Sequence, residues 1–376
     1  MQKVLFTATV DSHIKHFHLP YLKWFQEQGY EVHVATNGEE EIPYCNKKHI
    51  VRFERSPFKT NNLKAIKQLK KIIEKEKFDI IHCHTPMGSV VTRIAAMKAR
   101  EKYHTKVIYT AHGFHFFKGA PIINWLIYYP VEKMLDRAMD CLITINEEDY
   151  NLAKRRFKTK QIELVHGVGV DETRFNITMT EQEKAELRRS LGIEENDFVI
   201  IYPAELNKNK NQGMLLNAIT KLKKQGYENI KVLLPGKDSN NGAYEIMAKN
   251  LEIEQQIKFL GYRTDIPKLI KISNLAVATS KREGLPINMV EAMYCELPCI
   301  ATINRGHKEL IESGRNGFLI EINNVNQLAS NILELYKNKE LRIEFTKNAK
   351  EKAEVFILYN VKNEMEKIYR SYKGEK

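Results

Sequence analysis

"SKREGLPINMVEAMYCELPCI", residues Ser280–Ile300, begins at the end of the apolar run "NLAVATS" and closes in a second one, "LPCIAT". Between the runs stand a polar loop, "KREG", a Pro suited to the first turn of a helix, and the helical pattern "INMVEAMYC". A strand that must re-enter its sheet in the same direction needs a crossover, so strand, loop, helix and strand in one short span signal a parallel sheet. Glu283 falls in the loop beyond the strand's carboxyl end, and Glu291 more than a turn inside the helix. The free amides at the start of such a helix carry a positive dipole end of roughly +0.5 charge, a seat for an anion. Gly284 lets a ligand come close to the backbone.

The same alternation runs along the whole chain. In the first half "KVLFTATV", "YEVHVAT", "DIIHCH", "KVIYTA" and "DCLITI" are separated by helical patterns such as "NNLKAIKQLKKIIEKEKF". The second half repeats the habit with "DFVIIYPA", "NIKVLLPG", "QIKFLGY", "NLAVATS", "LPCIAT" and "GFLIEI". An α/β chain of 376 residues exceeds one ordinary core, so two doubly wound, Rossmann-like domains are expected. The Gly-rich and then polar stretch "GVGVDETRFNITMTEQEK" marks the junction. The expected division is 1–178, 179–356, and a terminal helix in 357–376 that packs back on the first domain. Open parallel sheets bind ligands beyond the carboxyl ends of their strands, and two such domains facing each other make one cleft. Placed there, the helix amides suit a phosphate, Glu291 can accept both hydroxyls of a ribose, and Glu283 can reach a group carried beyond the phosphates.

Composition narrows the partners. With 43% hydrophobic residues the chain has the make-up of a soluble globular protein. No apolar run reaches the ~18 residues of a spanning helix, and "MQKVLFTATV" patterns as a strand instead of an export signal, so a cytoplasmic location is expected. Cys45, Cys83, Cys141, Cys295 and Cys299 are odd in number and fall mostly in strand-like runs, which suits reduced, buried thiols. The net charge of +12 favours polyanionic partners. It is spread over both halves without a basic tail, and no zinc-finger or aromatic-basic signature accompanies it, so nucleic acid is not expected.

Glu283 and Glu291 in "SKREGLPINMVEAM", with "IKVLLPGKDS", "IKFLGYRTDIPKLIKISNLAVATS" and "VHGVGVDETRF", resemble the GT-B glycosyltransferases of family 4 over nearly the whole chain. "FHLPYLKWFQEQGYEVHVAT", "AHGFHFFKG" and "ELNKNKNQ" are most similar to enzymes of bacterial capsule and exopolysaccharide clusters. The resemblance implies two Rossmann-like domains facing a central cleft, the first holding an acceptor and the second a nucleotide sugar. It implies a retaining transfer by front-face attack that needs no metal or other cofactor. The donor expected is a UDP-sugar carrying a hexose or N-acetylhexosamine, with GDP the alternative base, and the acceptor a polyprenyl-diphosphate-linked or other glycan.

Carried over residue by residue, the catalytic set is Glu283, His112 and Lys210. Lys210 of "AELNKNKNQ" matches the family Lys that reaches the donor diphosphate, where a fixed cation stabilises the charge developing on the leaving group. Glu205 stands where the family usually has Arg, and Lys208 is the candidate replacement. His112 of "YTAHGFHFF" matches a His near the reacting carbon. Glu291, Gly284, Leu285, Ile287 and Asn288 complete the donor side, with Arg263 of "GYRTDI" toward the base. On the acceptor side stand His13 and His16 of "TVDSHIKHFHLP", where many members have Gly-Gly, and His84 of "HCH". Strand alternation is taken to turn one of His82 and His84 away, leaving His84, nearer the strand end. Glu296 replaces a helix-ending Gly, and Gly306 and Glu309 of "NRGHKELI" are expected to shape the pocket wall.

"FHFFKGAPIINWLIYYPVEKM" sets Phe116, Phe117, Trp125, Leu126, Tyr128 and Tyr129 beside Lys118 and Lys133, and Lys64, Lys67, Lys70, Lys71 and Lys75 line one helical pattern. Aromatic residues next to Lys suit a lipid headgroup boundary, so attachment to the anionic inner face of the cytoplasmic membrane is expected. Two other readings stay open: a nucleotide-sugar epimerase, and a catalytically silent nucleotide-sugar-binding partner of another transferase.

Overall fold

The computed structural model describes residues 1–373. The first sheet holds β1 (Lys3–Val10), β2 (Glu31–Asn37), β3 (Lys47–Ile50), β4 (Ile80–His84), β5 (Lys106–Ala111), β6 (Cys141–Thr144) and β7 (Gln161–Leu164), in the order β3-β2-β1-β4-β5-β6-β7. The second holds β8 (Phe198–Ile201), β9 (Ile230–Pro235), β10 (Ile257–Gly261), β11 (Leu275–Ala278), β12 (Cys299–Thr302) and β13 (Gly317–Ile320), in the order β10-β9-β8-β11-β12-β13. Every strand pair is parallel. Helices cover both faces, which is why β8, β11 and β12 are buried along their whole length and have no polar alternation. The helix Asn61–Glu76 shows the complementary pattern, burying Asn62, Ala65, Leu69 and Ile73 on one stripe.

All six runs expected in the second half form strands. The first half has two strands more than its sequence suggests, β3 ("KKHI") and β7 ("QIEL"). Both are short edge strands with polar, partly exposed side chains, which leaves their hydrophobic signal weak. The chain divides into two compact units, Met1–Gly169 with the segment from Val361 onward, and Val170–Asn360. The break thus precedes the expected 178/179. Val170 N donates to Phe356 O at 2.9 Å, Leu358 N donates to Val170 O at 2.7 Å, and Phe175 is buried in the core of the second unit.

The last helix, Leu358–Ser371, buries Val361, Met365, Ile368 and Tyr369 among Tyr21, Trp24 and Phe25 of the first unit. Within that core the Tyr369 hydroxyl meets His82 Nδ1 at 2.8 Å. Cys83, Cys141, Cys295 and Cys299 are buried thiols and Cys45 is half-buried, all of them free. Glu296 takes the left-handed conformation (φ 67°) that the missing glycine would supply, and ion-pairs with Lys350 at 2.6 Å.

The aromatic stretch corrects one expectation. Phe116 is buried, and Trp125, Tyr128 and Tyr129 pack against the first unit's core, so they do not form an outward aromatic face. The exposed face of the helix Ile122–Met134 is aliphatic: Ile122, Ile123, Leu126 and Met134 are 78%, 56%, 67% and 72% exposed. Lys133 is tied to Asp136 at 2.8 Å, whereas Lys64, Lys67, Lys71 and Lys75 are open to solvent. No helix among the described residues is long and apolar enough to cross a membrane.

Replacing Tyr369→Phe leaves a buried ring nitrogen of His82 without its partner, at a cost of about 1–3 kcal/mol. Urea unfolding should therefore show a lower midpoint, with the extrapolated stability reduced by that amount. An unchanged midpoint would show that the bond does not hold the terminal helix in place.

Candidate active site

In the second sheet the strand order reverses between β8 and β11. The loops that leave their carboxyl ends are sewn together by hydrogen bonds. The Tyr202 hydroxyl meets Ser280 Oγ at 2.7 Å and donates to Lys210 O at 2.9 Å, and Thr279 Oγ1 donates to Asn211 O at 2.9 Å. Lys281 N donates to Asn209 O at 2.8 Å, and Asn209 Nδ2 to Arg282 O at 3.0 Å. This lacing brings Lys210 Nζ to 2.6 Å from Glu283 Oε1, with both side chains largely buried. A Cβ on Gly306 would stand 2.8 Å from Gly284 O and 2.9 Å from Glu283 Cβ, so only a glycine lets the helix Arg305–Leu310 back the Glu283 loop this closely. Gly236 plays the same part beside the first loop, where a Cβ would fall 1.8 Å from Ala204 O.

The helix Ile287–Tyr294 follows, with Pro286 at its N-cap and not in its first turn. Asn288 Nδ2 donates to Pro203 O at 2.9 Å, while Leu285 and Ile287 pack against the core. Glu291 is half-buried, and its carboxyl has no hydrogen-bond partner among the described residues. Burial pushes its pKa up to about 7 against the opposing pull of Arg174. Arg263 is engaged by Asp265 in a two-pronged ion pair at 2.7 and 2.5 Å, which occupies the guanidinium assigned to the base. Lys208 and Glu205 are exposed in the loop after β8.

In the first sheet the order reverses between β1 and β4, and a cluster of histidines gathers at the carboxyl ends of β1, β4 and β5. His13 Nε2 lies 3.2 Å from His112 Nε2, and the rings of His18 and His84 stack with centroids 3.7 Å apart. Burial holds the pKa of His18, His84 and His112 well below the usual imidazole value, and that of His13 at about 4. His13 also lines a cavity of about 300 Å³ with Thr9, Arg55, Thr85, His115 and Tyr128. Thr85, at the end of β4, holds a left-handed φ of 63°, a strained turn for a β-branched residue.

One acceptor-side expectation needs correction. His82 and His84 do not point apart: residues two apart on a strand share a face, and their ring centroids are 4.0 Å apart. His16 lies outside the cluster, exposed, with Nδ1 against Ser12 O at 2.6 Å, because Asp11–Phe17 is a helix that turns it to solvent. His18, expected only as one of the residues crowded in the first strand–helix turn with His13, Lys15 and His16, and Tyr202, not expected at all, are central. The spacing of "HIKHFHLP" was the signal available for His18, whereas Tyr202 looks in sequence like any strand-end aromatic.

The family pattern described as Glycosyl transferases group 1 matches residues 183–352, and the Glycosyl transferase 4-like pattern matches residues 3–146. The chain is 46% identical over 373 residues to the glycosyltransferase EpsD of Bacillus subtilis (strain 168), whose own assignment is provisional; the match covers 99% of this chain and 97% of EpsD. The chain belongs to the group 1 glycosyltransferases.

This glycosyltransferase is also 26% identical to the UDP-Gal:alpha-D-GlcNAc-diphosphoundecaprenol alpha-1,3-galactosyltransferase of Escherichia coli, over 83% of the chain and 79% of that enzyme. In three dimensions it is similar to Anabaena HepE, crystallised with UDP and glucose, at a TM-score of 0.78 and 20% identity over 99% of this chain and 100% of HepE. The fold of the glycosyltransferase is GT-B.

Because folding raises the Glu291 pKa from 4.5 to about 7, the folded chain binds the extra proton and stability is lost as pH rises through that window. Glu291→Gln should therefore raise the stability of the ligand-free glycosyltransferase at about pH 8 by on the order of 1 kcal/mol, discounted for the half-exposed position, with the gain vanishing near pH 5. Urea unfolding at the two pH values checks this. Equal stability of both proteins at both would mean that the carboxyl is not held in an unfavourable setting.

Proposed function

We propose that this glycosyltransferase moves a hexose or N-acetylhexosamine from a UDP-sugar to a polyprenyl-diphosphate-linked or other glycan acceptor, with retention, in the assembly of a cell-surface polysaccharide. The observation that carries the reading is the Lys210–Glu283 ion pair at the strand-order reversal, beside the unpartnered Glu291 carboxyl. The Escherichia coli relative takes its sugar from UDP and passes it to a diphosphoundecaprenol-linked acceptor, and the HepE crystals hold UDP, both of which support this choice.

The arriving diphosphate replaces Glu283 as the partner of Lys210. Glu283, released, accepts hydroxyls of the donor sugar, and Glu291 accepts those of the ribose. The bond between the sugar's anomeric carbon and the phosphate oxygen then breaks, and the acceptor oxygen bonds to that carbon on the same face. The acceptor proton passes to the departing phosphate oxygen. Lys210 and the amides of the helix Ile287–Tyr294 stabilise the charge that develops there, and no divalent ion or other cofactor is required. His112 is assigned to the sugar near its reacting carbon. With Glu291 engaged on ribose, the two carboxylates do not act as a glycosidase pair.

Glu283→Gln should leave UDP affinity undiminished, since Lys210 no longer shares its charge, and lower turnover on the order of 10²–10³. Lys210→Ala should weaken UDP binding about tenfold or more. Calorimetry with UDP and mass-spectrometric detection of glycan product check both. Turnover of Glu283→Gln within a factor of two of the wild type would remove Glu283 from the site. A sugar epimerised with no acceptor present, or no turnover with any acceptor, would favour the epimerase or the silent partner.

The first unit's surface supports a reading of where the enzyme works. The aliphatic face of Ile122, Ile123 and Leu126, with the exposed Lys64, Lys67, Lys71 and Lys75, suits reversible seating on an anionic leaflet, at about 1 kcal/mol per Lys near the surface. Flotation should recover the protein with anionic vesicles, less with neutral ones, and release it in high salt. Equal recovery with both vesicle types would overturn the electrostatic part, and no flotation the whole.

A further inference from the structure

We propose that His13, His18, His84 and His112 form a binding site for one divalent transition-metal ion held by imidazole nitrogens. The four residues each offer a ring nitrogen, and these atoms all lie within 4.8 Å of one another. A tetrahedral ion with metal–nitrogen bonds of about 2.0–2.1 Å sets its ligand nitrogens roughly 3.3 Å apart. The 3.2 Å between His13 Nε2 and His112 Nε2 already matches that edge. The stacked rings of His18 and His84 need only turn about their Cβ–Cγ bonds to present a nitrogen each.

The neighbouring His82 makes the argument sharper. Its Nδ1 meets the Tyr369 hydroxyl and its Nε2 the Thr110 hydroxyl, each at 2.8 Å, so this core supplies partners where a histidine is merely structural. His18 and His84 are equally buried, yet all four of their ring nitrogens are without a hydrogen-bond partner among the described residues. Buried polar atoms are almost always satisfied, and an orphaned nitrogen from each of these two rings lying within the cluster asks for a common ligand. Neutral imidazole with no carboxylate among the donors selects zinc, cobalt, nickel or copper over magnesium or calcium. The cavity beside His13 gives such an ion access.

The four histidines belong to the first unit and the Lys210–Glu283 pair to the second, and the site shares His13, His84 and His112 with the transfer reading; metal uptake and glycan product are read separately, so metal uptake can fail while transfer stands, and the reverse. A bound ion would clamp the helix after β1 to the ends of β4 and β5 and would fix the orientation of the His112 ring.

The test uses the full chain without a polyhistidine tag, stripped with a chelator and titrated with Zn²⁺ and, separately, Co²⁺. The expected result is one ion per chain, with the visible absorption of tetrahedral Co²⁺. His18→Gln and His13→Gln should each weaken binding on the order of 10–100-fold, His13 being the half-buried position less liable to disturb folding. Circular dichroism confirms that each variant is folded. His49→Gln serves as the control, because His33, His49 and Glu76 form a second cluster able to hold an ion among the described residues. The proposal is overturned if the stripped chain takes up neither metal, if both cluster variants bind as the wild type does, or if His49→Gln alone abolishes uptake.

Discussion

Between β8 and β11, and again between β1 and β4, the strand order reverses, so the connections that follow these neighbouring strands leave toward opposite faces of the sheet. The backbone ends there are not covered by the next helix. Every group of interest sits on one of these two openings: Lys210 and Glu283 beyond β8 and β11, and the histidines beyond β1, β4 and β5. The rest of each unit, with its fully buried parallel strands, serves to hold those loop ends in register.

On the second opening the electrostatics centre on one ion pair and one buried carboxyl. Lys210 is held by Glu283 and by loops laced through Tyr202, Thr279 and Ser280, so its position is set before any ligand arrives. Glu291, in contrast, is kept half-buried without a hydrogen bond among the described residues, and burial raises its pKa. A diphosphate at Lys210 and ribose hydroxyls at Glu291 would settle both. At Glu205 only the carbonyl is engaged, accepting from Gln212 Nε2 at 3.0 Å, while the residue itself is exposed.

The first opening is built differently. At its centre lie rings packed on rings, from Phe6 stacked on His84 to His13 edge-on to His112. The strained Thr85 beside them fixes where β4 ends. Burial disfavours the charged form of these histidines and lowers their pKa well below the usual imidazole value.

The α/β alternation, the two Rossmann-like units and the loop-helix pair of Glu283 and Glu291 were legible in the sequence, because buried parallel strands read as continuous apolar runs and helix starts carry Pro and Gly. The edge strands β3 and β7 were not, being too short and polar to leave a pattern. Periodicity likewise could not show that Phe116, Trp125 and Tyr129 face inward while Ile122, Ile123 and Leu126 face out. Nor could it pair Lys210 with Glu283, 73 residues away, or bring His18 against His84 and His13 against His112. Local sequence determines which element forms and where it starts, through backbone sterics and burial. Which side chains from distant loops meet depends on the order in which strands join the sheet, a choice made by packing across the whole unit.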